Sequence, residues 1–222
     1  VIARHYPEAA AAAQPYRVLF EQVAARQAEL VAKWLLVGFI HGVMNTDNCG
    51  IAGETIDYGP CAFLDTYHPG TVFSSIDRQG RYAYGNQPGM AGWNMARLAE
   101  TLLPLFDANS DVALAQANES MAGFGDRFLG ALVAGQRRKL GLLTARDGDD
   151  ELAQALLDAM AEGNADFTLT FRRLCDAVVD PAAAAGVRAL FENPAALDLW
   201  LPRWRQRLAA EPGEGEARRP VM

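Results

Sequence analysis

The sequence predicts a mainly α-helical domain that carries one small β-hairpin. Three observations lead there. A broad apolar stripe of helical period runs over residues 16–37, a short segment around Ile51 and Thr55-Ile56 breaks that period, and helical patterning returns at Trp93 and continues almost to the end. With 222 residues, half of them hydrophobic, the chain can bury a sizeable core as one domain or one large lobe.

Taken in order, the first element places Phe20, Ala24, Ala28, Val31 and Leu35 on one face, flanked by Val23, Leu30 and Trp34. Gly38 ends it. The segment from Phe39 to Asn48 is then free to be an irregular loop, with Gly42 allowing a sharp backbone turn. Ile51 and Thr55-Ile56, separated by Ala52-Gly53-Glu54, are expected to be the two arms of a hairpin. Residues 60–90 hold Pro60, Pro69, Gly70, Gly80, Gly85, Pro88 and Gly89, which exclude a long helix. Helices are expected at 93–106, around 111–143, at 150–162, at 165–179 and at 183–210, with loop or helix-start signals at Asp107–Ser110 and Asp147–Asp150. The Gly-, Pro- and charge-rich tail from Glu211 onward is expected to be mobile. The domain plan is therefore a single unit: a loop region at 39–60, a loop-rich stretch at 60–90, a helical remainder at 91–210 and the tail at 211–222.

The chemistry concentrates in His41-Gly42-Val43-Met44-Asn45-Thr46-Asp47-Asn48, followed nine residues later by Asp57-Tyr58-Gly59. Small-molecule kinases use a loop H-G-D-x-x-x-x-N, whose Asp accepts a hydroxyl proton and whose Asn holds a metal, and a hairpin then delivers a second metal-binding Asp. On that template Asn48 and Asp57 fall on the two metal positions, and both offer hard oxygens suited to Mg²⁺. Val43 falls where the base should be, and valine cannot take a proton. Asp47, next to Asn48, is the candidate substitute.

The stretches VGFIHGVMNTDNCGIAGETIDYGP (37–60), FLDTYHPG (63–70), GRYAYGNQP (80–88) and WNMARLAETLLPL (93–105), with a weaker echo in ADFTLTFRRL (165–174), resemble the selenoprotein O family, bacterial YdiU. The resemblance implies the C-lobe of a protein-kinase-like fold and ATP- and Mg²⁺-dependent transfer of AMP to Ser, Thr or Tyr hydroxyls of protein substrates. It implies Asp47 as proton acceptor, Asn48 as a magnesium ligand, and Asp57 as a ligand to magnesium and a contact to the nucleotide. It also implies a flipped ATP, with the α-phosphate facing the target. Relatives carry a preceding glycine-rich strand pair with a phosphate-binding lysine and its glutamate partner, and a redox-active C-terminus. Neither is found here, where lysine occurs only at Lys33 and Lys139, so the chain is expected to be a fragment that is inactive alone. The rival readings are a kinase moving the γ-phosphate to a hydroxyl and a catalytically dead pseudokinase scaffold.

Composition narrows the partners. A net charge of −7, from 20 basic and 27 acidic residues, argues against nucleic acid, and Arg137-Arg138-Lys139 reads as a solvated helix face. No apolar run has the roughly 18 residues that a membrane span needs, so no membrane partner is expected. Cys49, Cys61 and Cys175 lack metal-ligand spacing and read as reduced structural thiols. An Arg- and Ala-rich, Lys-poor composition suggests a bacterial cytoplasmic protein; eukaryotic relatives in the family are mitochondrial.

Other conspicuous residues read as structural. His41 is expected to fix the loop through backbone hydrogen bonds, and Asn45 to shape it by an Asx-type bond. Asp65, His68, Asp77 and Arg81 could touch the target or close their own loop. Tyr82 and Tyr84 alternate as on a half-buried strand, and Trp93, Trp200 and Trp204 read as core or interface anchors.

Overall fold

A computed structural model describes residues 1–213 and 215–218. The architecture is mainly helical with one two-stranded antiparallel sheet. After a short α1 (Ile2–His5) comes the long α2 (Pro15–Val37), then β1 (Phe39–Ile40) and β2 (Ala62–Phe63). The helical remainder comprises α3 (Gln87–Phe106), α4 (Ser110–Ala122), α5 (Phe124–Lys139), α6 (Asp149–Glu162), α7 (Phe167–Val179), α8 (Ala184–Arg188), α9 (Ala195–Ala209) and α10 (Gly215–Arg218).

The apolar stripe of α2 is buried along Phe20, Val23, Ala24, Ala28 and Val31, as its 3.6-residue period requires, and Gly38 caps the helix in the left-handed conformation. Helix α3 begins six residues before Trp93, because Pro88 sits in its first turn, where the missing N–H costs no hydrogen bond. The helix expected over 111–143 is two, divided at Gly123, and the one over 183–210 is broken ahead of Pro194, which disfavours helix at the residue before it.

Two hydrophobic cores result. One gathers α6, α7 and α9 around Leu156, Met160, Leu174, Trp200 and Trp204; the other gathers α2, α3 and α4 around Phe20, Val31, Met95 and Phe106. The Trp200 and Trp204 rings stack at 5.3 Å, and their indole N–H groups donate to Leu152 O and Leu140 O, so neither polar atom is stranded. Strand β1 lies between the cores. Successive strand residues point to opposite faces, so Phe39 enters the α2–α3 core while Ile40 enters the other. The pairing Phe39 to Phe63 and Ile40 to Ala62 closes the loop between the strands.

Trp93 departs from expectation: it is 42% exposed, with the guanidinium groups of Arg81 and Arg97 over its ring at 5.0 and 5.2 Å. Tyr82 and Tyr84 are buried, but on a loop and a 3-10 turn rather than a strand. The tail starts with a packed residue, since the buried Glu211 accepts from Leu143 N, Thr144 N and Thr144 Oγ1 and pairs with Arg207. Arg218 donates to Glu211 O and Gly213 O. The rest of the tail, Glu214 and Arg219 to Met222, lies outside the described residues.

Candidate active site

The loop that carries the candidate residues leaves β1 at Ile40 and returns to β2 at Ala62. Its first turn needs glycine. Gly42 has φ +87°, and a Cβ there would lie 2.9 Å from Pro60 O, so both the conformation and the close strand-to-strand approach exclude a side chain. His41, just before it, is buried among aromatic rings, with Trp34 at 5.4 Å and Phe39 at 6.4 Å. Its Nε2 lies 2.8 Å from Ile56 O, and bonding to a carbonyl requires the proton on Nε2. His41 is thus a structural tie, as the sequence suggested.

Residues 46–48 form a single 3-10 turn, and Cys49 and Thr55 make an isolated antiparallel bridge around the Gly50–Gly53 turn. The hairpin exists, but its first arm pairs at Cys49 rather than Ile51, because Ile51 and Ala52 are the middle of the turn. The bridge aligns Asn48, one step before it, with Ile56, one step after it. Asp57 follows at φ +58°, a left-handed conformation that non-glycine residues rarely adopt and that Asp and Asn tolerate best. Gly59 N closes a tight turn onto Asp57 O at 2.8 Å.

The hairpin is strapped from behind. Trp34 Nε1 donates to Thr55 Oγ1 at 2.9 Å, Gln27 Nε2 to Gly50 O at 2.7 Å, and the Tyr6 hydroxyl to Ile51 O. Two buried amides of α3 hold the other side. Gln87 accepts from His41 N and donates to Phe39 O, both at 2.9 Å, and Asn94 Nδ2 donates to Met44 O at 3.1 Å and Cys49 Sγ at 3.0 Å. Tyr82 donates to Asn45 Oδ1 at 2.7 Å, so Asn45 shapes the loop through a side chain and not through an Asx turn. Sequence reasoning did not assign Gln87 or Asn94. Their signal is two amides seven residues apart, on the α3 face that also buries Met90, Ala91 and Met95.

What remains free is informative. Asp47 and Asp57 are exposed and Asn48 is half-buried. Asn48 Nδ2 donates to Val43 O at 3.0 Å, which turns Oδ1 away from that bond, and among the described residues nothing donates to Oδ1. Neither carboxylate has an ion pair or hydrogen bond there. Asp47 stands near Cys49, whose thiol is pushed up chiefly by burial, against the Asn94 bond and with help from the Asp47 charge. Among the described residues no three His, Cys, Asp or Glu side chains cluster as a metal cage. A cation here would have one or two protein oxygens and depend on phosphate for the rest, which is how Mg²⁺ is commonly held. A cavity of about 220 Å³ against the loop is lined by Thr46, Cys49, Ile51, Asn94 and Leu98 and does not include Asp47, Asn48 or Asp57.

Two of the remaining polar residues of the loop-rich stretch, Asp77 and His68, close their own turns. Asp77 accepts from Arg81 N and Tyr82 N, both at 2.8 Å, and His68 Nδ1 accepts from Gly70 N. The three cysteines are free thiols, with Cys175 buried. No helix among the described residues is long and apolar enough to cross a membrane.

A loop of this kind, with unengaged hard oxygens on a tightly held turn, suits the transfer of a phosphorus group. The family model described as Protein adenylyltransferase SelO matches residues 1–219, and the chain belongs to that family. Among similar proteins, each named Protein nucleotidyltransferase YdiU, one from Rhodopseudomonas palustris (strain BisB5) is 61% identical over 222 residues. One from Bradyrhizobium diazoefficiens is also 61% identical over 222 residues, and one from Methylorubrum extorquens is 60% identical over 227. Each match covers the whole of this chain but only 45–46% of the relative.

Proposed function

We propose that the protein to which this chain belongs is an ATP- and Mg²⁺-dependent protein adenylyltransferase, and that residues 39–60 hold its metal and its base. The observation that carries the reading is the set of unengaged oxygens on Asp47, Asn48 and Asp57, on a loop otherwise bonded at nearly every turn. Membership of the SelO family and the nucleotidyltransferase name of the relatives support the same class of reaction. The activity is assigned to a protein of the relatives' length, with the fold of this part being the helical lobe of a kinase-like enzyme.

In this reading Asn48 Oδ1 and the Asp57 carboxylate would hold Mg²⁺, and Asp57 would also touch the nucleotide. The ion supplies charge neutralisation on the polyphosphate. Asp47 accepts the proton of a Ser, Thr or Tyr hydroxyl on a protein substrate as the oxygen attacks the α-phosphorus. The new O–P bond forms, the bond to the β-phosphate bridge breaks, and pyrophosphate leaves. Val43, with no acid–base capacity, takes no part.

Incubating the full-length protein and a hydroxyl-bearing protein substrate with ATP labelled at the α or the γ position tests this directly. Label transfer from the α position, lost in Asp47→Asn, is the expected result. Transfer from the γ position instead makes the protein a kinase, and no transfer or Mg²⁺-dependent nucleotide binding at all makes it a scaffold.

A further inference from the structure

Three side chains beside the candidate loop are placed as a set. Arg81 and Arg97 hold their guanidinium groups over the ring of Trp93, at 5.0 and 5.2 Å from its centre, and that residue is 42% exposed. Trp93 and Arg97 stand one turn apart on α3, whereas Arg81 comes from the loop before it, so tertiary packing and not one helix face assembles the cluster. Each member is tied to the segment ahead of Asp47. Tyr82, next to Arg81, donates to Asn45 Oδ1 at 2.7 Å; Asn94, next to Trp93, donates to Met44 O at 3.1 Å; and Arg97 lines the same cavity as Thr46.

What the cluster lacks is an anion. The Arg81 guanidinium lies over the Tyr82 and Trp93 rings, and no carboxylate pairs with it among the described residues. Arg97 meets Glu100 at 2.6 Å, an exposed pair that contributes little, and its buried Nε has no partner there. Asp77, the other carboxylate at hand, is taken up by the Arg81 and Tyr82 amides. Planar forks already seated on an aromatic face give up little freedom when a carboxylate meets them.

Building on the adenylyl-transfer reading, we propose that Arg81, Trp93 and Arg97 form a docking surface for an acidic segment of the protein substrate, so that hydroxyls with Asp or Glu nearby in their own chain are the preferred targets. That reading requires a protein to reach Asp47, and the surface beside Asp47 must then be open to it. Charge complementarity names the occupant: the two forks accept carboxylates, and the indole face offers a flat apolar contact to the stems between them. The chain as a whole carries a net charge of −7, and a field of that sign disfavours acidic partners at long range. An acidic preference must therefore come from a local cationic site.

The full-length protein is titrated with two fluorescein-labelled peptides of about twelve residues, each with one central Tyr, one carrying Glu and the other Gln at the flanking positions. At low salt the Glu peptide is expected to bind about tenfold tighter, with the advantage shrinking as salt rises. In the double variant Arg81→Gln/Arg97→Gln the ratio of the two affinities should fall towards unity, and the ratio of kcat/KM for AMP transfer to the two peptides should fall with it. A purely structural role for the arginines would weaken both peptides together and leave the ratio intact. Equal affinities in the parent protein, no measurable binding of either peptide, or an acidic preference that survives in the double variant overturns the proposal. Binding is read without ATP, so a protein that prefers the Glu peptide but transfers no AMP contradicts the adenylyl-transfer reading and leaves the docking surface standing. One that transfers AMP to both peptides equally well contradicts the docking surface alone.

Discussion

The imidazole of His41 is bonded to the carbonyl of Ile56 at 2.8 Å, so the first residue of the candidate loop is tied to the residue that precedes Asp57. The tie holds the two parts of the motif together. Two segments fifteen positions apart are fixed by one buried side chain, and the Cys49–Thr55 bridge fixes them a second time from the other end.

Asp57→Asn is the most direct test of the candidate metal position. Asparagine tolerates the left-handed backbone and keeps the side-chain shape, so the thermal midpoint should stay close to that of the parent. In the full-length protein AMP transfer should fall on the order of 10²-fold or more, because a carboxylate holding a divalent cation contributes several kcal/mol to charge stabilisation. Normal labelling in this variant removes Asp57 from the site.

Gln87→Met keeps the side-chain length but strands the His41 N–H and the Phe39 carbonyl in the interior. The expected cost is about 2–4 kcal/mol, read as a lower urea midpoint at unchanged slope. A change under about 0.5 kcal/mol means that water or another group replaces both bonds.

Glu211→Gln probes the far end of the molecule. Burial alone would raise the Glu211 carboxyl, but bonds from Thr144 and Arg207 and from the Leu143 and Thr144 amides outweigh it and hold it below the usual range. A depressed folded value contributes stability above the ordinary carboxylate range and loses it as pH falls through the folded value. The parent should therefore lose more stability on acidification than the Gln variant, as a series of chemical unfolding curves would measure.

Lys139→Met tests the same direction of pH dependence in a higher range. The Lys139 Nζ donates to Leu36 O and lies 3.4 Å from the centre of the Phe171 ring and 4.3 Å from that of Phe167. An amine that folding pushes down to about 7 is ionised more in the unfolded chain over the range above neutrality, so the unfolded state binds more protons there. The parent should gain about 1–2 kcal/mol of stability between about pH 7 and about pH 10, discounted for the attraction of the rings, and the Met variant should lack that rise. Parallel profiles for the two proteins contradict a desolvated amine.

The sequence made some of these features plain and hid others for a physical reason. Helix α2 and the hairpin turn are written in local periodicity and turn residues, and the candidate triplet Asp47, Asn48 and Asp57 lies within one short motif. Gln87 and Asn94 were not legible because their partners lie 46 to 50 residues away, and only packing brings α3 under the loop. Lys139 was misread because a run of three cations looks solvated, while the approach of two helices at Gly135 turns the last of them inward. Trp93 was misread because a helical stripe does not say whether a neighbouring helix covers it.

Strand β1 gives one side chain to each interior, and this makes the candidate segment a common tenant of both halves. Neither half can loosen without shifting the backbone from which the loop departs. A nucleotide that stiffens the loop should therefore slow amide exchange in α2 and in α9 together.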